Sequence, residues 1–383
     1  MCVGLYTDCE GWCFTKGVSV RGGSQLRLAV AVFLVAGSLL TSSVAHADHD
    51  ADGVPGYGPD IYSQTTPPWY SHSWYISSSD PAKIRTLAQA DASWDSAHCT
   101  RAANGSWQKL VILHFGGVRN LGGGQPYNGY GASLFQSSST SLGTLVNLVQ
   151  EYSDAYYGSA TSCPELLVAL GTSNSTLCSP SPAPCDPYQA GRAWKDAVRN
   201  INLYLQGHWF DAQIKPIAAD DIETHGKWSC AGPARAFVDG YADNWPYEPY
   251  RMFIDGDSTT SPACWSIQDV YYTAYARTPN YPLPTIYFDK EPCNWTHGDC
   301  RGFGVERTVG FVAFQGVMTQ CQNPDPIPFG NFPGNQCYIM EGGVRVGNNG
   351  PGQAWQRLWE AEKVYYPQSS MKYATNIKFQ PTG

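Results

Sequence analysis

The chain has 383 residues, with 24 Lys and Arg against 32 Asp and Glu, a net charge of −8. That acidic balance lacks the electrostatic footprint of a nucleic-acid or anionic-membrane binder. Thirteen cysteines point instead to an oxidising compartment.

The N-terminus agrees. Arg21 and Arg27 form a basic n-region, Leu28 to Leu40 is uncharged and mostly apolar, and Ala45-His46-Ala47 places small residues where a signal peptidase reads. The apolar run is shorter than the roughly 20 residues a membrane span needs. Residues 1–47 are therefore expected to be a cleaved signal peptide, leaving a secreted, extracellular product with no integral membrane segment. Cys2, Cys9, Cys13, Asp8 and Glu10 are unusual ahead of a signal, so a start at Val18 or Val20 is expected in place of Met1.

Cleavage leaves 21 basic and 30 acidic residues, a net of −9, and ten cysteines. An even count behind an export signal reads as up to five disulfides. Spacing allows local loops at Cys178–Cys185, Cys293–Cys300 and Cys321–Cys337, but it leaves the connectivity open.

The first predicted strand is Ser73–Ser77. Asp80-Pro81 then supplies an N-cap and a first-turn proline for a helix through Ile84, Leu87, Ala88 and Trp94. Leu110–Phe115 is the second strand, and Leu142, Leu145, Val146 and Val149 mark a helix at 3.6 spacing. Leu166–Gly171 is the third strand, followed by a helix with Trp194, Val198, Ile201 and Leu205 on its core face. Strand four is Ile214–Glu223, with a helix over Ala231–Tyr241. Strand five is Arg251–Asp257, with a helix over Ile267–Ala276. Leu283–Asp289 is strand six and Val309–Gln315 strand seven. A helix over Ala354–Val364 precedes strand eight, Tyr373–Phe379.

Eight strands, most followed by a helix, predict an α/β fold: a (β/α)8 barrel of the TIM type with long disulfide-stapled loops, as one domain over 71–383 behind an extension over 48–70. A doubly wound open sheet is the alternative.

In a barrel the site lies at the C-terminal ends of the strands, and here most strands end in a polar residue. These are His114, Asn174 just past strand three, Asp221 and Glu223, Asp255 and Asp257, Asp289 with Glu291 beyond it, and Gln315; Asn376 interrupts strand eight. Side chains alternate along a strand, so Asp221 and Glu223 share one face and Ile222 the other. Two such close carboxyls repel when both are ionised. This predicts a proton held on Glu223 as a general acid beside a charged Asp221. Pairing of both acids with Lys or Arg is the purely structural alternative. Asp220, of opposite parity, is expected to make a loop or helix-cap contact.

The frame Ala218-Ala219-Asp220-Asp221-Ile222-Glu223 at the end of a fourth barrel strand resembles family 25 glycoside hydrolases, the lysozyme-type muramidases, and more distantly family 18 chitinases. That resemblance implies that Glu223 protonates the glycosidic oxygen. It implies that Asp221 supports the substrate N-acetyl group or the developing positive charge. The first strand departs from family 25, with no Asp in Trp74-Tyr75-Ile76-Ser77. Asp255, Asp257, Asp289, Gln315, His114 and Asn174 are the expected substrate and water contacts, with Trp228 as a sugar-stacking ring. Tyr127, Tyr130, Trp245, Tyr247, Trp265 and Trp295 are further loop aromatics.

The expected function is hydrolysis of an N-acetylated polysaccharide such as cell-wall glycan. The alternative is a non-catalytic carbohydrate-binding or structural barrel. The expected partner is a polysaccharide, not nucleic acid, and the protein is expected to be a monomer without cofactor or metal. Asp48-His49-Asp50-Ala51-Asp52-Gly53 opens like a calcium loop, but Pro59 stands where the twelfth-position Glu belongs, so it reads as an acidic tail. No nucleophile elbow, zinc helix or phosphate loop occurs.

Overall fold

The computed structural model describes residues 69–381, except 99–107, 124–126, 136–137, 161–164, 176, 179–182, 225–229, 244–250, 257–263, 288–290, 297–303, 322–337, 342–343, 348 and 368–370. The signal peptide, nearly all of the extension, and Asp257, Asp289 and Trp228 lie outside the described residues.

Eight parallel strands form the wall. In chain order they are β1 (Trp69–Tyr75), β2 (Gln108–Asn120), β5 (Glu165–Ser173), β6 (Ile214–Asp221), β7 (Met252–Asp255), β8 (Asn280–Pro282), β9 (Gly316–Gln320) and β12 (Tyr373–Phe379). Their spatial order, β8-β7-β6-β5-β2-β1-β12-β9, is the chain order turned into a ring. The eighth junction is made by the parallel bridge Thr285–Met318, just after β8. Around it Ile286 N–H donates to the Met318 carbonyl and Met318 N–H to the Pro284 carbonyl, both at 2.8 Å. The result is a nearly closed TIM-like barrel. An antiparallel excursion, β3 (Tyr130–Ser133) and β4 (Ser139–Ser141), is added to β2. A separate hairpin pairs β10 (Tyr338–Glu341) with β11 (Val344–Gly347).

The helices lie between the strands as α1 (Pro81–His98), α2 (Leu142–Ser159), α3 (Pro187–Gly207), α4 (Ala231–Ala242), α5 (Ile267–Tyr271), α6 (Pro292–Trp295), α7 (Val305–Val309) and α8 (Pro351–Lys363). Local chemistry sets their starts. Asp80 accepts the Ala82 N–H at 2.9 Å, Ser141 the Thr144 N–H at 3.1 Å, and Asp186 the Tyr188 N–H at 2.9 Å. Leu142, Leu145, Val146, Val149, Tyr152 and Tyr156 fall on one face of α2 and are all buried. The same periodicity buries Trp194, Val198, Ile201 and Leu205 on α3. Each large side chain so enclosed contributes about 1.5–3 kcal/mol of transfer free energy.

Two apolar layers result. Ile112, Ala169, Ala219, Phe253, Met318 and Ile377 fill the barrel interior, and alternate residues of the same strands pack outward against the helices. The outer layer carries a buried charge network. His72 Nδ1 bonds Asp91 at 2.5 Å, and the Trp74 indole and Tyr152 hydroxyl donate to the other oxygen of Asp91. Lys109 Nζ lies 2.8 Å from Asp95 with neither side chain exposed.

Four sequence expectations are corrected. Expected strand six, Leu283–Asp289, lies just past the ladder, which is Asn280–Pro282; of the expected run, Thr285 makes an isolated bridge to Met318, and 288–289 lie outside the described residues. The first strand begins four residues early, at Trp69, because His72 is a buried network member on the strand. Expected strand seven, Val309–Gln315, is the end of α7 plus an extended connector; the ladder begins at Gly316. Strand four ends at Asp221, so Glu223 sits just beyond it.

Cys178–Cys185 is disulfide-bonded, as its spacing allows, and so is Cys230–Cys264. The latter joins the start of α4 to the residues before α5, tying together the segments that follow β6 and β7. Cys293 and Cys321 are also disulfide-bonded. No helix among the described residues is long and apolar enough to cross a membrane.

Candidate functional site

The C-terminal ends of β1, β6 and β7, and β2 at the point where its ladder with β1 ends, converge on a cluster built from Tyr75, His114, Asp221 and Asp255. Parity explains the convergence. Leu110 and Ile112 are interior residues, so His114 is interior too; Ile217 and Ala219 predict the same for Asp221, and Phe253 for Asp255. His114 Nε2 and Asp255 Oδ2 are 3.4 Å apart with both side chains enclosed. The Tyr75 hydroxyl donates to Asp221 Oδ2 at 3.3 Å. Tyr75 stacks on Phe135, centroids 4.3 Å apart, and meets His114 at 5.0 Å and Phe379 at 5.4 Å. Asp221, Asp255 and Glu223 are all buried.

Backbone contacts hold the acid-bearing turn. Asn174 lies beyond β5 and clamps Glu223 from both sides: its Nδ2–H donates to the Glu223 carbonyl at 2.8 Å, and its Oδ1 accepts the Glu223 N–H at 3.0 Å. Asn174 N–H also donates to the Asp221 carbonyl at 3.0 Å. On the other side Ile222 N–H donates to the Asp255 carbonyl at 2.6 Å. Gly256, with φ 123°, passes so close that a β-carbon there would lie 2.1 Å from the Ile222 carbonyl oxygen. Glycine is required at that crossing on both counts.

Electrostatics follow from burial. Enclosure alone would lower the pKa of His114, but the carboxylate of Asp255 at 3.4 Å, with Asp221 behind, overrides it and raises the imidazole above its ordinary value. Burial raises the Tyr75 hydroxyl well above its ordinary value, and the neighbouring Asp221, Tyr287, Asp255 and Glu223 add to that. Among the described residues the Asp220 side chain makes no loop or helix-cap hydrogen bond, contrary to the sequence expectation. It is buried on β6, where desolvation, together with Asp255 and Asp221, raises its carboxyl above the usual range.

His114, Asp221, Asp255, Glu223 and Asn174, picked out from the sequence, are thus brought together, with the Asn174 amide occupied by the Glu223 backbone. Gln315 is not among them. It precedes β9, where its carbonyl accepts the N–H groups of Lys372 and Tyr373, at the opposite rim of the barrel. Asn376 bonds the Cys321 N–H at 2.8 Å on the outer side of the wall. Trp265 and Trp295 are buried, and Trp295 lines a small gap of about 10 Å³, room for about one water, together with Ile222, Thr224, Asp255 and Thr273. Among the described residues no group of three metal-ligating side chains converges.

No protein-family model and no curated protein matches this chain. The likeness to glycoside hydrolases therefore rests on the barrel and on the acids of the fourth wall strand.

Sequence reasoning missed Tyr75. Its signal was present: Trp74 and Ile76 are apolar and face the helix layer, so the residue between them faces the interior at the strand's C-terminal end.

Proposed function

We propose that this protein is an exported, glycoside hydrolase-like barrel that cleaves an N-acetylated polysaccharide such as cell-wall glycan. The observation that supports the reading is the turn carrying Asp221 and Glu223 at the C-terminal rim, held in place by Asn174 and the Gly256 crossing. In this reading Glu223 gives its proton to the glycosidic oxygen as the C1–O bond breaks. Asp221 stabilises the positive charge that develops at C1. Water then adds to C1, and its proton returns to the Glu223 carboxylate. The hydrogen bond from Tyr75 orients Asp221. The N-terminal signal pattern and the disulfides favour an extracellular setting.

The second reading, a binding or structural barrel without catalysis, is favoured by the aromatic roof: Phe135 and Phe379 close over Tyr75, and His114 beneath is fully enclosed. One experiment separates the two. Mature protein is incubated with peptidoglycan and with chitin, and reducing ends are counted beside a Glu223→Gln control. Hydrolysis predicts release by the parent, none by the variant, and equal retention of both on the polysaccharide. Retention without release by the parent would leave the binding reading.

A further inference from the structure

The C-terminus of α3 is a Schellman turn. Phe210 N–H donates to the Leu205 carbonyl at 2.9 Å and Trp209 N–H to the Gln206 carbonyl at 3.2 Å. The corner residue of such a turn has a left-handed backbone, and Trp209 has φ 62°. Glycine is the usual occupant, because a β-carbon is disfavoured in that conformation. The nearest glycine, Gly207, stands two residues earlier, at a place where a β-carbon would meet nothing within 4 Å. The chain thus carries tryptophan where its backbone favours glycine. Packing does not explain the choice, since Trp209 is 83% exposed.

Its neighbours complete a platform. Phe210 stacks on Tyr157 and His208 on Tyr204, each pair with centroids 4.1 Å apart. Tyr157 and Leu203 are exposed. Because Phe210 leads into the start of β6, the platform lies at the rim opposite Asp221. Eight strand residues separate the two ends, roughly 25 Å at about 3.3 Å per residue.

We propose that Trp209 anchors a second polysaccharide-binding platform on the N-terminal rim of the barrel, remote from the acids; the choice of ligand class rests on the function proposed above. A bare indole beside polar Gln206, His208 and Asp211 suits the apolar face and hydroxyl edge of a sugar ring. Size argues against a protein partner: three partly uncovered side chains of about 150–250 Å² each fall short of the roughly 800 Å² each partner buries in a stable complex. The chain's net charge of −8 argues against an anionic membrane.

The test uses Trp209→Gly, which removes the ring and relaxes the backbone, so a binding loss cannot be assigned to misfolding. Expected are a Tm equal to or above the parent's and at least a fivefold drop in retention on insoluble peptidoglycan and colloidal chitin. Trp209→Phe is expected to retain most of the binding. Equal retention of parent and Trp209→Gly, or no retention of the parent on either material, overturns the proposal. So does a Trp209-dependent dimer in sedimentation, or Trp209-dependent capture by phosphatidylglycerol vesicles in place of polysaccharide. The two readings fail separately. Trp209-dependent retention without release of reducing ends removes the catalytic reading alone. Release with unchanged retention of Trp209→Gly removes the platform alone.

Discussion

His114 and Asp255 face each other inside the barrel from strands that are not neighbours, with Nε2 and Oδ2 3.4 Å apart and no solvent reaching either side chain. The contact is long for a hydrogen bond but close enough for the carboxylate to hold a proton on the imidazole. Because the pKa of His114 is raised in the folded chain, the pair's contribution to stability is complete below about pH 6.5, the unfolded value. It is lost as pH rises through the higher folded value. Imidazole NMR signals should show His114 protonated above pH 6.5. His114→Gln should destabilise by about 3–5 kcal/mol at neutral pH by leaving Asp255 without its cation, with the deficit shrinking at alkaline pH. A neutral His114 at pH 6.5 would contradict this assignment.

Gly256 makes a sharper geometric prediction. Gly256→Ala combines an unfavourable φ with a clash against the Ile222 carbonyl between the two acids. A loss of about 3 kcal/mol or more is expected in urea unfolding. Gly123 is the control: its φ is also positive, but a β-carbon there meets nothing within 4 Å, so Gly123→Ala should cost only about 1 kcal/mol. Equal costs at the two sites would refute the close crossing.

The outer network predicts acid sensitivity. Burial pushes His72 down to about 4, although Asp91 pulls the other way. Burial opposes ionisation of Asp91, but His72, Lys109 and the Trp74 indole hold its carboxyl below the usual range. For His72 the unfolded chain takes up a proton that the fold refuses, so stability falls as pH drops from about 6.5 towards 4. For Asp91 stability is present above its unfolded value and is lost below it. His72→Gln should therefore make the unfolding free energy at pH 7 minus that at pH 5 smaller than in the parent; an unchanged difference would contradict the depressed His72.

Glu306 and Glu362 predict the opposite slope. Both are buried where α7 meets the end of α8. Desolvation, then the charge of Glu362, pushes Glu306 up to about 9, against the Val312 N–H that bonds it. The fold keeps a proton that the unfolded chain releases, so stability declines as pH rises from about 4.5 to 9. Glu306→Gln should raise Tm at pH 8 and give little gain at pH 5; each pKa unit relieved is worth about 1.4 kcal/mol. An equal effect at both pH values would dismiss the shared proton.

Much of this arrangement was legible in the sequence, for reasons that differ by element. Tyr373–Phe379 was placed without error because Tyr373 to Ile377 are buried on both faces, with the β-formers Tyr, Thr and Ile recurring at alternate positions. Val309–Gln315 misled because an alternating apolar segment packs equally well as the end of a short helix and its connector. Period alone does not distinguish the two. The interior position of Asp221 was readable from parity, and so was that of His114. Its approach to Asp255 was not, since it depends on barrel curvature across β5 and β6. Asn174 was found by position, but its grip on the Glu223 backbone needed the loop geometry.

Seven of the eight junctions in the wall are continuous ladders, and the eighth is the isolated bridge between Thr285 and Met318, spanned by three backbone hydrogen bonds. A hoop fastened that way is a split ring. When the cylinder breathes, the slit between β8 and β9 parts first, while the turn bearing Asp221 and Glu223 stays braced by full ladders on either side of β6. The amides of Ile286 and Met318 should accordingly trade hydrogen for deuterium well ahead of those of Ile112 and Ala169. The interior can then widen without loosening its acids.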